Sequence, residues 1–580
     1  MKSLASFLLL LLSGSLAAHD PLAFASGSWF DPQRNGEGFV VQVLPEERAV
    51  VTWFTYPPAG EDGAQAWLIG TGVTVGNRIE IEEMVRPAGA VFGPDFEPGD
   101  VVREPWGSLA ITFDGCDAAV AAWNGPPAFG SGSMDLVRLS SIDDVPCDPN
   151  DTADPDRVVS GRSGAWYDPA HDGEGWMLEM LADGRMVVYW FTYDDQGRQA
   201  WLIGEARVEG RTLWIEEMLI TGGARFGADF DSADVQLTMW GEFGFLFEDC
   251  ALGQLRYAST DPRFGEGTLL PVHLAQLAAT DCADPPPVKA LSGGAWRRVA
   301  DLDVAASESA SAGLDGTVYT AGGYGHLQRL QRYDPAADGY QDLPALPGER
   351  HHPMMASDGQ HIYVAGGYVG RFSTVTGDNF WRYDSLSDEW EILADLPGAR
   401  AAGAAVFLHG RVWILGGVGV GLDMQSYDVQ TGEWELFPGA IGVPADHMQA
   451  VAFENEIWWL GGRDDQTSKE VRIWNPVTRA WRVGPSLQFA RAGFAARVVQ
   501  GQIMVTGGER TELVPFQLVP SMEIFAPGAA GWVPGPPPPI AVHGTTGAAV
   551  GGEFILVAGS TVAGTTSSNR ATQIYSPAEP

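Results

Sequence analysis

Six short apolar phrases, each running into glycine, recur about every 45 to 50 residues through the second half of this chain. They are Val318–Gly323, Ile362–Gly367, Val412–Gly417, Ile457–Gly462, Ile503–Gly508 and Ile555–Ser560, the last closing on Gly559-Ser560. The apolar and β-branched residues read as strands, and helical periodicity is absent. A repeat of this period made only of strand signals indicates a six-bladed β-propeller. Such a fold presents surfaces, so its function must be sought in its loops.

The first half is a tandem duplication. Ser26-Gly27-Ser28-Trp29-Phe30-Asp31-Pro32 returns as Ser163-Gly164-Ala165-Trp166-Tyr167-Asp168-Pro169, and Gly36-Glu37-Gly38 as Gly173-Glu174-Gly175. Trp53-Phe54-Thr55-Tyr56 and Gln65-Ala66-Trp67-Leu68-Ile69-Gly70 return from Trp190 and from Gln199. Each copy reads as short alternating strands separated by Gly, Pro and Asp turns, which a small antiparallel barrel or sandwich would satisfy. The expected class is therefore all-β, with two β modules before a six-bladed propeller. The expected organisation is a leader at 1–18, modules at 19–147 and 163–282, an acidic linker at 148–162, a Pro-rich linker at 283–290 and the propeller at 291–580.

Residues 1–18 carry Lys2, an apolar run and Ser15-Leu16-Ala17-Ala18, the pattern of a signal peptide. No later run reaches the ~20 apolar residues of a membrane helix. Secretion or export to a periplasm is expected, and with it disulfides. Of the three pairings that four cysteines allow, the duplication selects Cys116–Cys147 and Cys250–Cys282, because each pair holds the same place in its copy. A formal net charge of -39 argues against nucleic acid or anionic lipid as partners.

The second half resembles the kelch-repeat family. Besides the glycine pairs it has Tyr333-Asp334 with Tyr340, Tyr383-Asp384 with Trp390, and Tyr427-Asp428 with Trp434. The pattern then weakens to Trp474-Asn475 with Trp481 and Phe525-Ala526 with Trp532. The resemblance implies that each glycine pair ends the second strand of a blade and that the aromatics pack between blades. It also implies a ring closed by both termini: Gly294–Leu302 has the pattern of the outer strand missing from the last blade.

In such propellers the loops before the first strand and after the second share one face. Those loops hold Glu308, Arg350, His351, Arg400, His447, Arg491 and His543, and His326, Arg371, Arg463 and Glu509. An Arg/His-rich mouth suits a carboxylate-bearing sugar or an acidic peptide, since Arg reads carboxylate with a fixed fork, so a protein segment or a glycan is the expected ligand. The bland alternative makes Arg350, Arg400 and Arg491 scaffold residues that bond blade to blade. His351 and His352, as neighbours on an extended segment, are expected to point apart, so no metal site is read here, and no cofactor.

Binding is thus the expected role, with an acidic-sugar epimerase or a structural envelope component as alternatives. A galactose-oxidase-like copper centre is excluded within the propeller, because no cysteine follows Cys282. The carboxylates Glu37, Glu174, Glu82-Glu83 and Glu216-Glu217 invite a glycosidase reading. Their recurrence in both copies favours structure instead, and the Trp-rich phrases are expected to be core.

Overall fold

The computed structural model describes residues 22–143, 145, 147, 160–227, 230–280, 282, 287–419, 423–438 and 445–578. The leader at 1–18 and most of both linkers lie outside the described residues. Among the described residues there are β-strands and single turns of 3-10 helix, and no α-helix. The chain divides into two compact units: Met1–Arg207 with Glu217–Phe243 and Phe247–Asp284, and Val208–Glu216 with Gly244–Leu246 and Pro285–Pro580.

In the first unit, copy one is a closed eight-stranded antiparallel barrel whose last strand, Ser131–Arg138, pairs back onto the first, Gly27–Phe30. Copy two repeats the meander, but its closing strand is broken at Pro271. Glu266–Leu269 pairs with Gly253–Ser259, and Val272–Gln276 pairs with Gly164–Tyr167. Proline has no N–H for the ladder, so the break falls there. Cys116–Cys147 and Cys250–Cys282 stand with Cα atoms 5.8 and 6.1 Å apart, within disulfide reach.

The two copies exchange core residues. Phe226 of copy two packs against Trp53, Trp123 and Phe129 of copy one, at ring distances of 5.5, 6.1 and 4.9 Å. Phe92, its counterpart in copy one, packs against Trp190, Tyr257 and Phe264 of copy two. The repeated glutamines are reciprocal too. Gln65 Nε2 donates to the Trp201 carbonyl and Gln199 Nε2 to the Trp67 carbonyl, both at 2.7 Å. Trp67 and Trp201 therefore lie in a core shared by both barrels, with Phe54, Tyr56, Phe191 and Tyr193. These aromatic phrases are buried and offer no sugar platform.

The repeated carboxylates are likewise structural or solvated. Glu37 accepts from Arg34 and Thr55, and Glu174 from His171 and Thr192, and all four bonds are inside the fold. Glu82 and Glu83 are both exposed at a bulge between Ile81 and Met84, rather than on opposite faces. Glu179 is fully buried and accepts from Ser28 and Ser140. Burial pushes its carboxyl up to about 7, against those hydrogen bonds and the Arg138 charge.

In the second unit, six four-stranded blades stand in a ring. Their innermost strands are Ala310–Leu314, Met354–Ser357, Ala404–Leu408, Gln449–Phe453, Ala492–Val499 and Thr546–Val550. The sixth blade is completed by Ala295–Arg298, which pairs Trp296 with Tyr575 and Arg297 with Ile574. Both ends of the propeller thus share one sheet, which removes an open edge. Outer-strand tryptophans bolt neighbouring blades together. Nε1 of Trp390, Trp434, Trp532 and Trp296 donates to the carbonyls of Pro344, Ala394, Pro485 and Pro536, at 2.7 to 3.0 Å. The Tyr-Asp aspartates cap the turn that follows, as Asp428 does by accepting from the Gln430 and Thr431 amides.

The glycine pairs make the other blade junction. The second glycine N–H donates to the next blade, Gly323 to the Arg350 carbonyl, Gly367 to Arg400, Gly462 to Arg491 and Gly508 to Val542, at 2.8 to 3.0 Å. A Cβ on the first glycine would run into that same carbonyl, at 2.7 Å for Gly322 and 2.8 Å for Gly461. The sixth pair is corrected by one residue. Gly559, not Ser560, donates to the next blade at the Ala306 carbonyl, and Ala558 takes the first place with φ 53°.

Two outcomes follow for the first unit. Phe226→Ala and Phe92→Ala should each lower stability by about 3–5 kcal/mol, because each empties the core of the other copy; denaturant titration of the full chain measures this. Glu179 holds its proton when folded to a pH where the unfolded carboxyl, at 4.5, has lost it. Its contribution is therefore full below 4.5 and is lost as pH rises to about 7, by roughly 3 kcal/mol. Glu179→Gln should remove that fall in melting temperature; copy one already carries Gln42 at this place.

Candidate functional site

Each blade sends one residue in the left-handed conformation toward the propeller axis, at or just before the start of its innermost strand. These are Glu308, His352, Ala402, His447, Gly493 and Gly544, with φ of 55, 55, 57, 54, 64 and 53°. Their backbones form a chain of hydrogen bonds around the axis. The N–H of Glu308 donates to the Gly544 carbonyl, His352 to Glu308, Ala402 to His352, His447 to Ala402, and Gly493 to His447, at 2.7 to 3.0 Å. Thr545 closes the ring onto the Gly493 carbonyl at 3.5 Å. Glycine adopts this conformation freely, whereas a side chain there costs on the order of 1 kcal/mol. The ring nonetheless carries one glutamate and two histidines.

The other three positions, Ala402, Gly493 and Gly544, carry a methyl group or no side chain at all. A Cβ at Gly544 would strike the Glu308 carboxylate. Glu308 Oε2 lies 3.2 Å from His352 Nε2 and 3.8 Å from His447 Nε2, and the three side chains are 13, 10 and 12% exposed. One donor atom from each lies within 4.8 Å of the other two. Each histidine is fixed from behind: His447 Nδ1 is 2.8 Å from Asp446 Oδ1, and His352 Nδ1 is 2.6 Å from His351 Nδ1. Burial, with His447 and His351 beside it, holds His352 well below the usual histidine pKa and hence neutral at pH 7.

The residues just outside this ring pair across the two loops: Ser307 with Tyr324, His351 with Tyr368, Asp446 with Arg463, and His543 with Ser560. Tyr324 stacks on His351 at 4.4 Å between ring centres, and Tyr368 covers its other side at 5.0 Å. Arg463 is held between Asp446 and Glu509, each at 2.9 Å. Burial would raise the Asp446 carboxyl, but hydrogen bonds from His447 and Arg463 carry it below the usual carboxylate range. Glu509 also accepts the Gly564 N–H, at 2.6 Å, and lies 3.5 Å from His543.

Of the residues expected at the mouth, Glu308, His351, His447, Arg463, Glu509 and His543 are together there. Four others lie in the scaffold. Arg400 is 1% exposed and donates to the Gly416 and Asp423 carbonyls of its own blade. Arg491 is 0% exposed, paired with Glu523 at 2.6 Å and bonded to the Gly507 carbonyl. Arg350 donates to Asn379 and lies over the Trp381 ring, and His326 bonds the Val304 carbonyl. Arg371 is exposed against Phe372 on the loop after the second strand of blade two. His351 and His352 do not point apart. His352 has φ 55°, so the segment turns there instead of extending, and the two rings meet.

His352, Tyr324, Tyr368 and Asp446 lie in the same two sets of loops and join this mouth. Arg497 was missed altogether. It lies on the innermost strand of blade five and reaches across to the Ser311 carbonyl of blade one, at 2.7 Å. Its sequence signal is a charge where the other innermost strands are apolar or small. Burial brings its pKa down to about 10.

The scaffold arginines can be separated from the mouth by substitution. Arg491→Ala should cost about 3–5 kcal/mol in a denaturant titration, because it strands Glu523 as an unpaired buried charge. Arg371→Ala should change stability by less than about 0.5 kcal/mol.

The kelch motif matches residues 349–397 and 446–488, inside the blades just described. Kelch-like protein terF of Aspergillus terreus is 23% identical over 326 residues, which are 50% of this chain and 70% of its own. Alpha-scruin of Limulus polyphemus is 26% identical over 35% of this chain and 24% of its own length, and mouse kelch-like protein 35 is 26% identical over 35% and 34%. This chain therefore spans only a minor part of the last two. The solved structure of YjhT aligns with a TM-score of 0.41 at 15% identity, over 48% of this chain and 96% of that one. The second half of this protein is a kelch-repeat β-propeller.

Proposed function

We propose that this is an exported binding protein whose propeller takes a segment of a partner protein at the ring of left-handed residues. A kelch-repeat propeller fits a protein-binding role, and the two cysteine pairs suit an oxidising compartment. Among the described residues no helix is long and apolar enough to cross a membrane. The observation that carries the reading is the convergence of polar side chains and two tyrosine faces on one mouth, with Arg350, Arg400 and Arg491 bonded within their blades.

The charges at the mouth set the chemistry of the segment. Glu308, Asp446 and Glu509 face a single guanidinium, Arg463, which two of them already hold. A basic side chain is favoured there over an acidic one, and Tyr324 and Tyr368 offer it cation–π contacts. An acidic-sugar enzyme is the less favoured alternative: it calls for an arginine to hold a ligand carboxylate, and Arg350 and Arg400 are bonded within their blades.

The test is an array of peptides graded in charge, with neutral and acidic glycans alongside, probed with the full chain. Basic peptides should be retained, and Tyr368→Ala and Glu509→Gln should each weaken them about tenfold or more. Retention of acidic glycans alone, or affinities untouched by both substitutions, would contradict the reading.

A further inference from the structure

We propose that Glu308, His352 and His447 together bind one divalent transition-metal ion, of the class of Zn2+, at the centre of the ring. The inference goes beyond the protein-binding reading and stands without it, since metal uptake needs no partner.

The donors are of the right kind. Two imidazoles and one carboxylate suit zinc and its first-row neighbours, whereas calcium and magnesium require mostly oxygen ligands. The donors are also close enough. Ligand atoms about 2.0–2.1 Å from a tetrahedral zinc stand roughly 3.3 Å apart. Here the two Glu308 to histidine separations are 3.2 and 3.8 Å, and all three donors fall within 4.8 Å.

Both histidines also have the orienting partner that metal ligands normally carry. Asp446 Oδ1 lies 2.8 Å from His447 Nδ1, with Arg463 Nη2 3.3 Å from the same nitrogen; when Nδ1–H donates to Asp446, the His447 Nε2 lone pair faces Glu308. His351 Nδ1 lies 2.6 Å from His352 Nδ1; when the His352 nitrogen is the donor of that bond, its Nε2 lone pair faces Glu308. Two lone pairs and a carboxylate then point into one space. A single metal ion there would engage all three donors at once. Finally, the ring places its glutamate and histidines in a backbone conformation that costs energy for any side chain. Two of the six positions use glycine, so the fold itself does not require a side chain there.

Full-length protein, stripped with a chelator and dialysed, is titrated with Zn2+ by calorimetry and with Co2+ by visible absorption. One Zn2+ should bind per chain, with a cobalt spectrum of low coordination number. Glu308→Gln and His447→Gln should weaken binding more than 100-fold, and Asp446→Asn about 10- to 100-fold. Gly544→Ala keeps all three ligands but displaces the Glu308 carboxylate, and should weaken binding without unfolding the ring. Melting curves in chelator identify any variant that fails to fold, and the remaining variants then decide. No stoichiometric uptake, or uptake unchanged in the folded variants, overturns the proposal.

Discussion

Everything at the propeller mouth depends on one closed chain of backbone hydrogen bonds, from Glu308 through His352, Ala402, His447 and Gly493 to Thr545. Each of these N–H groups donates to the preceding blade. No blade can rotate without breaking two of them, and buried backbone groups left unpaired are costly. The left-handed turn that allows this bonding also aims the side chain at the axis. Bonding and display are thus one geometric fact, and any residue at these six positions is presented to whatever enters the mouth.

Two further junctions hold the ring against its own twist. Just outside the mouth, the second glycine of each pair reaches a carbonyl of the next blade. At the periphery, the outer-strand tryptophans do so with Nε1. The duplicated barrels solve a different problem by similar means. Each is small, and each completes its core with a phenylalanine from its twin, Phe92 or Phe226. Duplication here gives mutual burial, with the repeated carboxylates used as internal acceptors.

Much of this was legible in the sequence, and the misses have physical causes. Glycine pairs mark five of the six blades because a Cβ on the first glycine would crowd the carbonyl of the next blade, as at Gly322 and Gly461. The closing strand at Ala295–Arg298 was legible because an outer strand was missing at the far end. The sixth junction was placed one residue late, because Ala558 tolerates a conformation that glycine usually marks. Arg400 and Arg491 were read into the right loops, but a loop position does not say whether a long side chain turns outward or into its blade. The pair His351-His352 was read as extended, and a single left-handed residue reverses that. Nothing in an alternating strand pattern tells which barrel a loop phenylalanine will fill, so the exchange of Phe92 and Phe226 could not be foreseen.

The most direct test of this account is native-state hydrogen exchange at the amides of Glu308, His352, Ala402, His447 and Gly493. If the ring is the constraint that the mouth depends on, these five amides exchange slowly and with a common opening free energy close to that of the innermost strands. Fast or scattered exchange among them, as in ordinary loops, would show that the mouth is not a single closed ring and would remove the basis for treating its side chains as one site.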